Sequence, residues 1–123
     1  MDSKQTVVIL GASDKPERYS HKAQLMLQDH GHEVILVSTK GSEINGVPVL
    51  PNLEPIKEHV HTLTMYVGAK ISSNMIEEIV ALSPERVIFN PGTENPKLYS
   101  ALKENGIAFE EACTLVLLGT GQF

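Results

Sequence analysis

The chain reads as an α/β protein, a doubly wound parallel sheet of about five strands, and three observations carry that reading. Apolar strand-like runs recur at Val7–Leu10, Val34–Val37, Leu63–Val67, Val87–Phe89 and Ile107–Phe109. Segments of helical periodicity separate most of them, and such alternation builds βαβ units. The first run breaks at Gly11, passes through a short polar loop and enters an amphipathic helix, the layout with which α/β proteins cradle a phosphate. Right-handed crossovers then favour the strand order 3-2-1-4-5, with a ligand crevice at the carboxyl ends of the first strand and its neighbours.

Val7–Leu10 is an unbroken run of β-branched and large apolar residues, as a parallel strand buried on both faces requires. Gly11 lets the backbone turn sharply and approach a ligand with no side chain in the way. The first helix is expected over about Ser20–His30, with Ala23, Leu27 and either Met26 or His30 on its inner face and Gly31 as its stop. Between Ser38 and Pro55 the helical pattern lapses. Glu43–Val49 reads instead as a small hairpin turning at Asn45-Gly46, which replaces or shortens a crossover helix. A second helix is expected from near Ser73 to Leu82, with Asn74 and Glu77 as a capping-box-like pair and Ile76, Ile79 and Val80 as its buried stripe. The third helix has the clearest signals: Asn95 as N-cap, Pro96 in the first turn, Leu98 and Leu102 facing the core, and Gly106 at the end.

With 123 residues, the chain is expected to form one domain over 1–123, too short for a separate catalytic domain. A 41% hydrophobic and 20% charged composition is that of an ordinary soluble protein, and no segment is long and apolar enough to span a membrane. MDSKQ leads straight into the first strand without a signal peptide, and the single cysteine, Cys113, rules out an internal disulfide. Both point to the cytoplasm. A formal charge of −5 argues against nucleic-acid binding, so an anionic ligand must be held by a local cluster of cations.

Such a cluster stands where the first helix begins. Ser13, Arg18, Ser20, His21 and Lys22 crowd a helix mouth whose unpaired N–H groups favour an anion. The other strand ends add Ser38-Thr39-Lys40, Gly68-Ala69-Lys70 and Asn90-Pro91-Gly92-Thr93, all small, polar or cationic. The dinucleotide fingerprint G-x-G-x-x-G is missing, as is the Walker A pattern. His30-x-His32 and His59-x-His61 lack the spacing of zinc ligands and are read as solvated or core histidines. Cys113 lies in the apolar segment Ala112–Leu118 and is read as a buried, inert thiol. Glu77-Glu78 and Glu110-Glu111 are read as solvated charge, and no Ser–His–acid order can be assembled.

Three stretches carry a resemblance: GASDKPERYSHKAQLMLQDHGHEV, EINGVPVLPNL and FNPGTENPKLYSALKENGIAFEEACTLVLL. Together they resemble the small stand-alone CoA-binding proteins, themselves similar to the CoA-binding domain of succinyl-CoA synthetase α subunits. The likeness runs from Thr6 to near the C-terminus. It implies a Rossmann-like domain holding CoA or acyl-CoA across the strand ends, with the pyrophosphate near Gly11-Ala12-Ser13 and Arg18. It also implies Ser38 and Lys40 beside the adenosine and its 3′-phosphate, and Phe89-Asn90-Pro91 along the floor. Ser38-Thr39 stands where many relatives have Asn-Pro. The synthetases' phosphohistidine belongs to a further domain, so ligase chemistry does not come with the resemblance.

The expected ligand contacts are therefore Gly11, Ala12, Ser13, Arg18, Ser20, Ser38, Lys40, Gly68, Phe89, Asn90, Pro91 and Gly92. The expected function is non-catalytic CoA or acyl-CoA binding, as a carrier, sensor or partner subunit, with a protein partner or a homo-oligomer left open. The alternatives are a small enzyme acting on a CoA thioester and an NAD(P)-binding regulatory domain. Against NAD, the end of the second strand holds Ser38, Thr39 and Lys40 where an acid would grip the ribose.

Overall fold

A computed structural model describes residues 4–123, so the first three residues of the MDSKQ segment lie outside the described residues. One seven-stranded sheet has the order β3-β4-β2-β1-β5-β6-β7. Its strands are β1 (Thr6–Leu10), β2 (Glu33–Val37), β3 (Glu43–Ile44), β4 (Val47–Leu50), β5 (Thr62–Met65), β6 (Arg86–Phe89) and β7 (Ala108–Glu111). The helices are α1 (Tyr19–Asp29), α2 (Ala69–Ser72), α3 (Ile76–Leu82), α4 (Pro96–Glu104) and α5 (Thr114–Gly119). All strand pairs are parallel except β3 with β4.

The alternation of side chains along β1 divides the core. Val8 and Leu10 pack with Leu63, Met65, Ile79 of α3 and Leu98 and Leu102 of α4. Val7 and Ile9 face the other way, against Leu27 of α1 and Leu118 of α5. Both faces of the sheet are thus covered by helices, which is the doubly wound, Rossmann-like arrangement expected. Among the described residues no helix is long and apolar enough to cross a membrane.

The strand count and order differ from the expectation. The Asn45-Gly46 hairpin forms, with both turn residues at positive φ (51° and 81°) as a type I′ turn demands. Its second strand, β4, then pairs in parallel with β2 (Leu36 with Val49, Val37 with Leu50) and takes the position beside β2 where the Leu63 run was expected. The run at Leu63, expected there, lies instead beside β1 at the centre. All four residues of β5 are buried, which requires a neighbour on each side, whereas β4 is only partly buried.

The helix expected from Ser73 to Leu82 is divided into the single turn α2 and the separate α3, whose N-cap Met75 makes no side-chain capping bond. Asn74 turns back instead, its Nδ2 donating to the Lys70 carbonyl at 3.4 Å, so the capping-box pair with Glu77 does not form. On α1 the inner face is Ala23, Gln24 and Leu27, with Met26 rather than His30 packed against the core. Asn95 caps α4 as expected, its Oδ1 accepting from Lys97 N and Leu98 N. The apolar stretch Ala112–Leu118 contains most of helix α5.

Candidate functional site

The carboxyl ends of β1, β2, β5 and β6 open on a crevice whose geometry starts at Gly11. Its φ is +99°, and a Cβ there would lie 3.0 Å from the backbone C and O of Tyr66 and from Val67 Cγ1. Glycine is thus required by the backbone angle and by close packing on the segment after β5. The N–H groups of Gly11 and Ala12 both donate to the Val37 carbonyl (2.8 and 3.1 Å), so they tie the loop to β2 and do not point outward. Ligand-facing donors must come from further along the loop.

Those donors are available. Ser13 Oγ accepts from Lys15 N at 3.1 Å and Ser38 Oγ from Lys40 N at 3.2 Å, the same two-residue turn at two strand ends. Each hydroxyl keeps its O–H to donate. Arg18, in extended conformation, starts α1 without a side-chain cap. Among the described residues, the N–H groups of Asp14, Tyr19 and Ser20 have no acceptor. Arg18 and Lys40 are exposed and neither makes an ion pair among the described residues.

The crevice consists of adjoining clefts. One lies between the Gly11 loop and the hairpin, lined by Ala12, Ser13, Arg18, Ser38, Lys40 and Ile44. The next shares Ser13 and Arg18 and extends across Gly11, Ser20, Gly68, Pro91 and Gly92. A third, apolar cleft adjoins Gly11 and Ser38 through Pro51, Val67, Ile71 and Met75. Residues from four strand ends, far apart in sequence, therefore line one continuous edge.

Two expected contact residues lie elsewhere. Phe89 is 1% exposed and packs edge-on against Tyr99 and Phe109 in the core, so it does not reach the crevice. Asn90 is 3% exposed and works as a latch below the surface. Its Nδ2 donates to Thr64 Oγ1 (2.7 Å) and the Met65 carbonyl (2.8 Å), and its Oδ1 accepts from Thr114 N (2.9 Å). The side chain thus joins β5, β6 and the start of α5. The reason lies in register, since Phe89 is still inside β6 and pairs with Met65 and Glu111 on either side.

The crevice also takes in Thr93 of the strand-end set, together with Lys15, whose place in the polar loop signals it, and Tyr19 and Tyr66. Burial pushes the Tyr66 phenol up to about 12, against a smaller opposite effect of the Thr114 and Thr64 hydroxyls, so it stays protonated at neutral pH. His21 is 8% exposed and has both ring nitrogens engaged, Nδ1 with the Ser13 carbonyl at 3.0 Å and Nε2 with Asn45 Nδ2 at 3.4 Å.

The remaining candidates of the sequence lie outside the crevice. Cys113 is half-buried, not buried, because the expected apolar interior segment is the amphipathic α5 and Cys113 is its N-cap. The acidic pairs are less free than expected: Glu78 accepts from Leu53 N, Glu111 accepts from the Tyr99 hydroxyl, and Glu110 lies 3.8 Å from Arg86. His59 pairs with Glu85 at 2.6 Å and His61 with Thr62 Oγ1 at 2.7 Å.

Among known proteins, the chain is similar to an uncharacterized protein of known crystal structure, with 40% identity, a TM-score of 0.94, and coverage of 99% of this chain and 100% of that one. A Thermus thermophilus protein, cell-free ID.343, is 28% identical with a TM-score of 0.88, over 98% of this chain and 91% of its own. The uncharacterized protein YneT of Bacillus subtilis (strain 168) is 27% identical over 100 residues, 81% of this chain and 74% of that protein. The family model for the CoA binding domain matches residues 5–119. Since that match takes in the whole sheet and all five helices, the chain belongs to the CoA binding domain family.

Proposed function

We propose that the protein binds CoA or acyl-CoA in this crevice and does no chemistry on it, acting as a carrier, a sensor or the binding subunit of a partner. The single observation that carries the reading is the pair of exposed cations, Arg18 at the mouth of α1 and Lys40 beyond β2, on one cleft lined also by hydroxyls and open backbone amides. On this reading the pyrophosphate lies against Ser13, Arg18 and the first turn of α1, and the 3′-phosphate lies near Ser38 and Lys40. Gly68, Pro91 and Gly92 supply a wall without bulky side chains for the remainder of the nucleotide. Phe89 and Asn90 support that wall from beneath.

Three crevice side chains that could act as base or nucleophile, His21, Ser13 and Ser38, have structural duties. Both nitrogens of His21 are engaged, and the Ser13 and Ser38 oxygens each cap a turn. Thioester hydrolysis needs an activated nucleophile and donors aimed at the developing oxyanion. Thermal shift with CoA, dephospho-CoA and NAD at equal concentration tests the proposal. Ligand at about a hundred times its Kd adds roughly 2.7 kcal/mol, a rise in Tm on the order of 10 °C for this size. CoA should give the largest shift. Equal shifts for the three, or release of thiol from acetyl-CoA well above the uncatalysed rate, would reject the proposal.

A further inference from the structure

We propose that His21 is a positioning residue that aims the backbone N–H of Asp14 into the crevice. The inference rests on the reading of this crevice as the CoA site and assigns one of its anion contacts. His21 Nδ1 lies 3.0 Å from the Ser13 carbonyl oxygen, and the ring is almost fully buried. Because the described peptide bonds include no cis form, the carbonyl of Ser13 and the N–H of Asp14 point to opposite sides of the same rigid plane. A carbonyl held inward by His21 therefore sends the Asp14 N–H outward, on a loop that lines the cleft with Arg18 and Lys40. Among the described residues that N–H has no acceptor of its own.

The second ring nitrogen explains how the imidazole is kept ready. Asn45 Nδ2 lies 3.4 Å from Nε2 and donates to it, which leaves the proton of a neutral ring on Nδ1, where the Ser13 carbonyl accepts it. Gln24, one turn further along α1, donates from Nε2 to the Ile44 carbonyl at 3.1 Å. The hairpin that forms one wall of the cleft and the loop that forms the other are thus both set from one helix. If the Ser13–Asp14 peptide turned over, a carbonyl oxygen would face the ligand phosphate in place of an N–H, replacing attraction by repulsion.

Two substitutions separate this role from simple packing. In His21→Asn the side-chain amide nitrogen falls near the place of Nδ1 and can still hold the Ser13 carbonyl. In His21→Gln it reaches the place of Nε2 and cannot. Calorimetric titration with CoA and with inorganic pyrophosphate should show His21→Gln weaker by about ten-fold for both and His21→Asn within about two-fold of the unsubstituted protein. In the unsubstituted protein, the Asp14 amide proton resonance should move downfield among the largest changes on adding CoA, a measurement that needs no variant to fold. Equal affinities for the unsubstituted protein and His21→Gln, or an unmoved Asp14 resonance in protein that binds CoA, would overturn the inference while leaving the CoA reading intact. No CoA binding by the unsubstituted protein would overturn both.

Discussion

The two ends of the sheet treat positive charge in opposite ways. At the amino ends, Arg86 is largely buried and fully employed. Its Nε donates to Thr62 Oγ1 (3.0 Å), its Nη2 donates to the Phe123 carbonyl (3.1 Å), Glu110 is 3.8 Å away, and the guanidinium lies 4.5 Å from the centre of the Phe123 ring. Burial pulls its pKa below the ordinary value and Glu110 opposes that pull. At the carboxyl ends, Arg18 and Lys40 are exposed and lack ion-pair partners among the described residues. A cation neutralised within the fold serves stability, whereas cations left open beside unpaired amides are available to an external anion. The contrast is sharper than a count of charges, because the whole chain is acidic.

The largest expected effect lies under the crevice. Asn90→Ala removes three hydrogen bonds and leaves the buried Met65 carbonyl and Thr114 N–H without partners, so it should destabilise the fold by roughly 3 kcal/mol in urea unfolding. A change below about 1 kcal/mol would return Asn90 to the list of ligand contacts. The comparison of the two ends is tested directly by Arg18→Ala and Arg86→Ala. The first should weaken CoA about ten-fold or more at unchanged stability, and the second should cost roughly 2 kcal/mol of stability while CoA affinity holds. An exchange of those outcomes would break the comparison. Lys40→Ala should be milder, weakening CoA about five-fold and dephospho-CoA hardly at all, as measured by calorimetry. Equal losses for both ligands would move Lys40 away from the 3′-phosphate.

The smallest effect concerns pH at the amino ends. Burial, the largest cause, lowers the pKa of His61 below 6.5, with Glu85 opposing and Arg86 and His59 assisting. The unfolded chain then binds more protons than the folded one in the window below pH 6.5. Stability is fully present above that value and falls as the pH drops towards the lowered folded pKa. Glu85, whose pKa is lowered from 4.5 chiefly by its hydrogen bond with His59, behaves as an acid should: its contribution is present above pH 4.5 and lost as the pH falls further. Unfolding followed from pH 7.5 to 5 should therefore show a shallow decline that His61→Gln flattens. A decline of the same depth in that variant would move the effect to another group.

Much of the fold was legible because its signals are local. The type I′ turn at Asn45-Gly46 needs two residues that tolerate positive φ, and the cap at Asn95 needs one side chain two residues from its donor. The strand-end loops were legible for a similar reason, since small and cationic residues directly follow apolar runs. That Phe89 and Asn90 lie buried beneath the crevice was not legible, because nothing in FNPG states where β6 ends relative to its neighbours. Pairing with β5 and β7 keeps Phe89 inside the sheet, and the Asn90 side chain turns inward only because Thr64 and Thr114 meet it there.

The sequence alone determined the alternation of strands and helices, the glycine turn after β1, the chemistry of the loops and the resemblance to CoA-binding proteins. All of these depend on periodicity, composition and turn preferences within a few residues. Only the tertiary structure decided that β4 lies beside β2, that β5 lies beside the central β1, and that Gly11 and Ala12 donate to Val37 rather than outward. It alone joined Ser13, His21 and Asn45 into one chain of hydrogen bonds. Such choices rest on which buried groups find partners across the sheet, and those partners lie tens of residues away, where no local pattern records them.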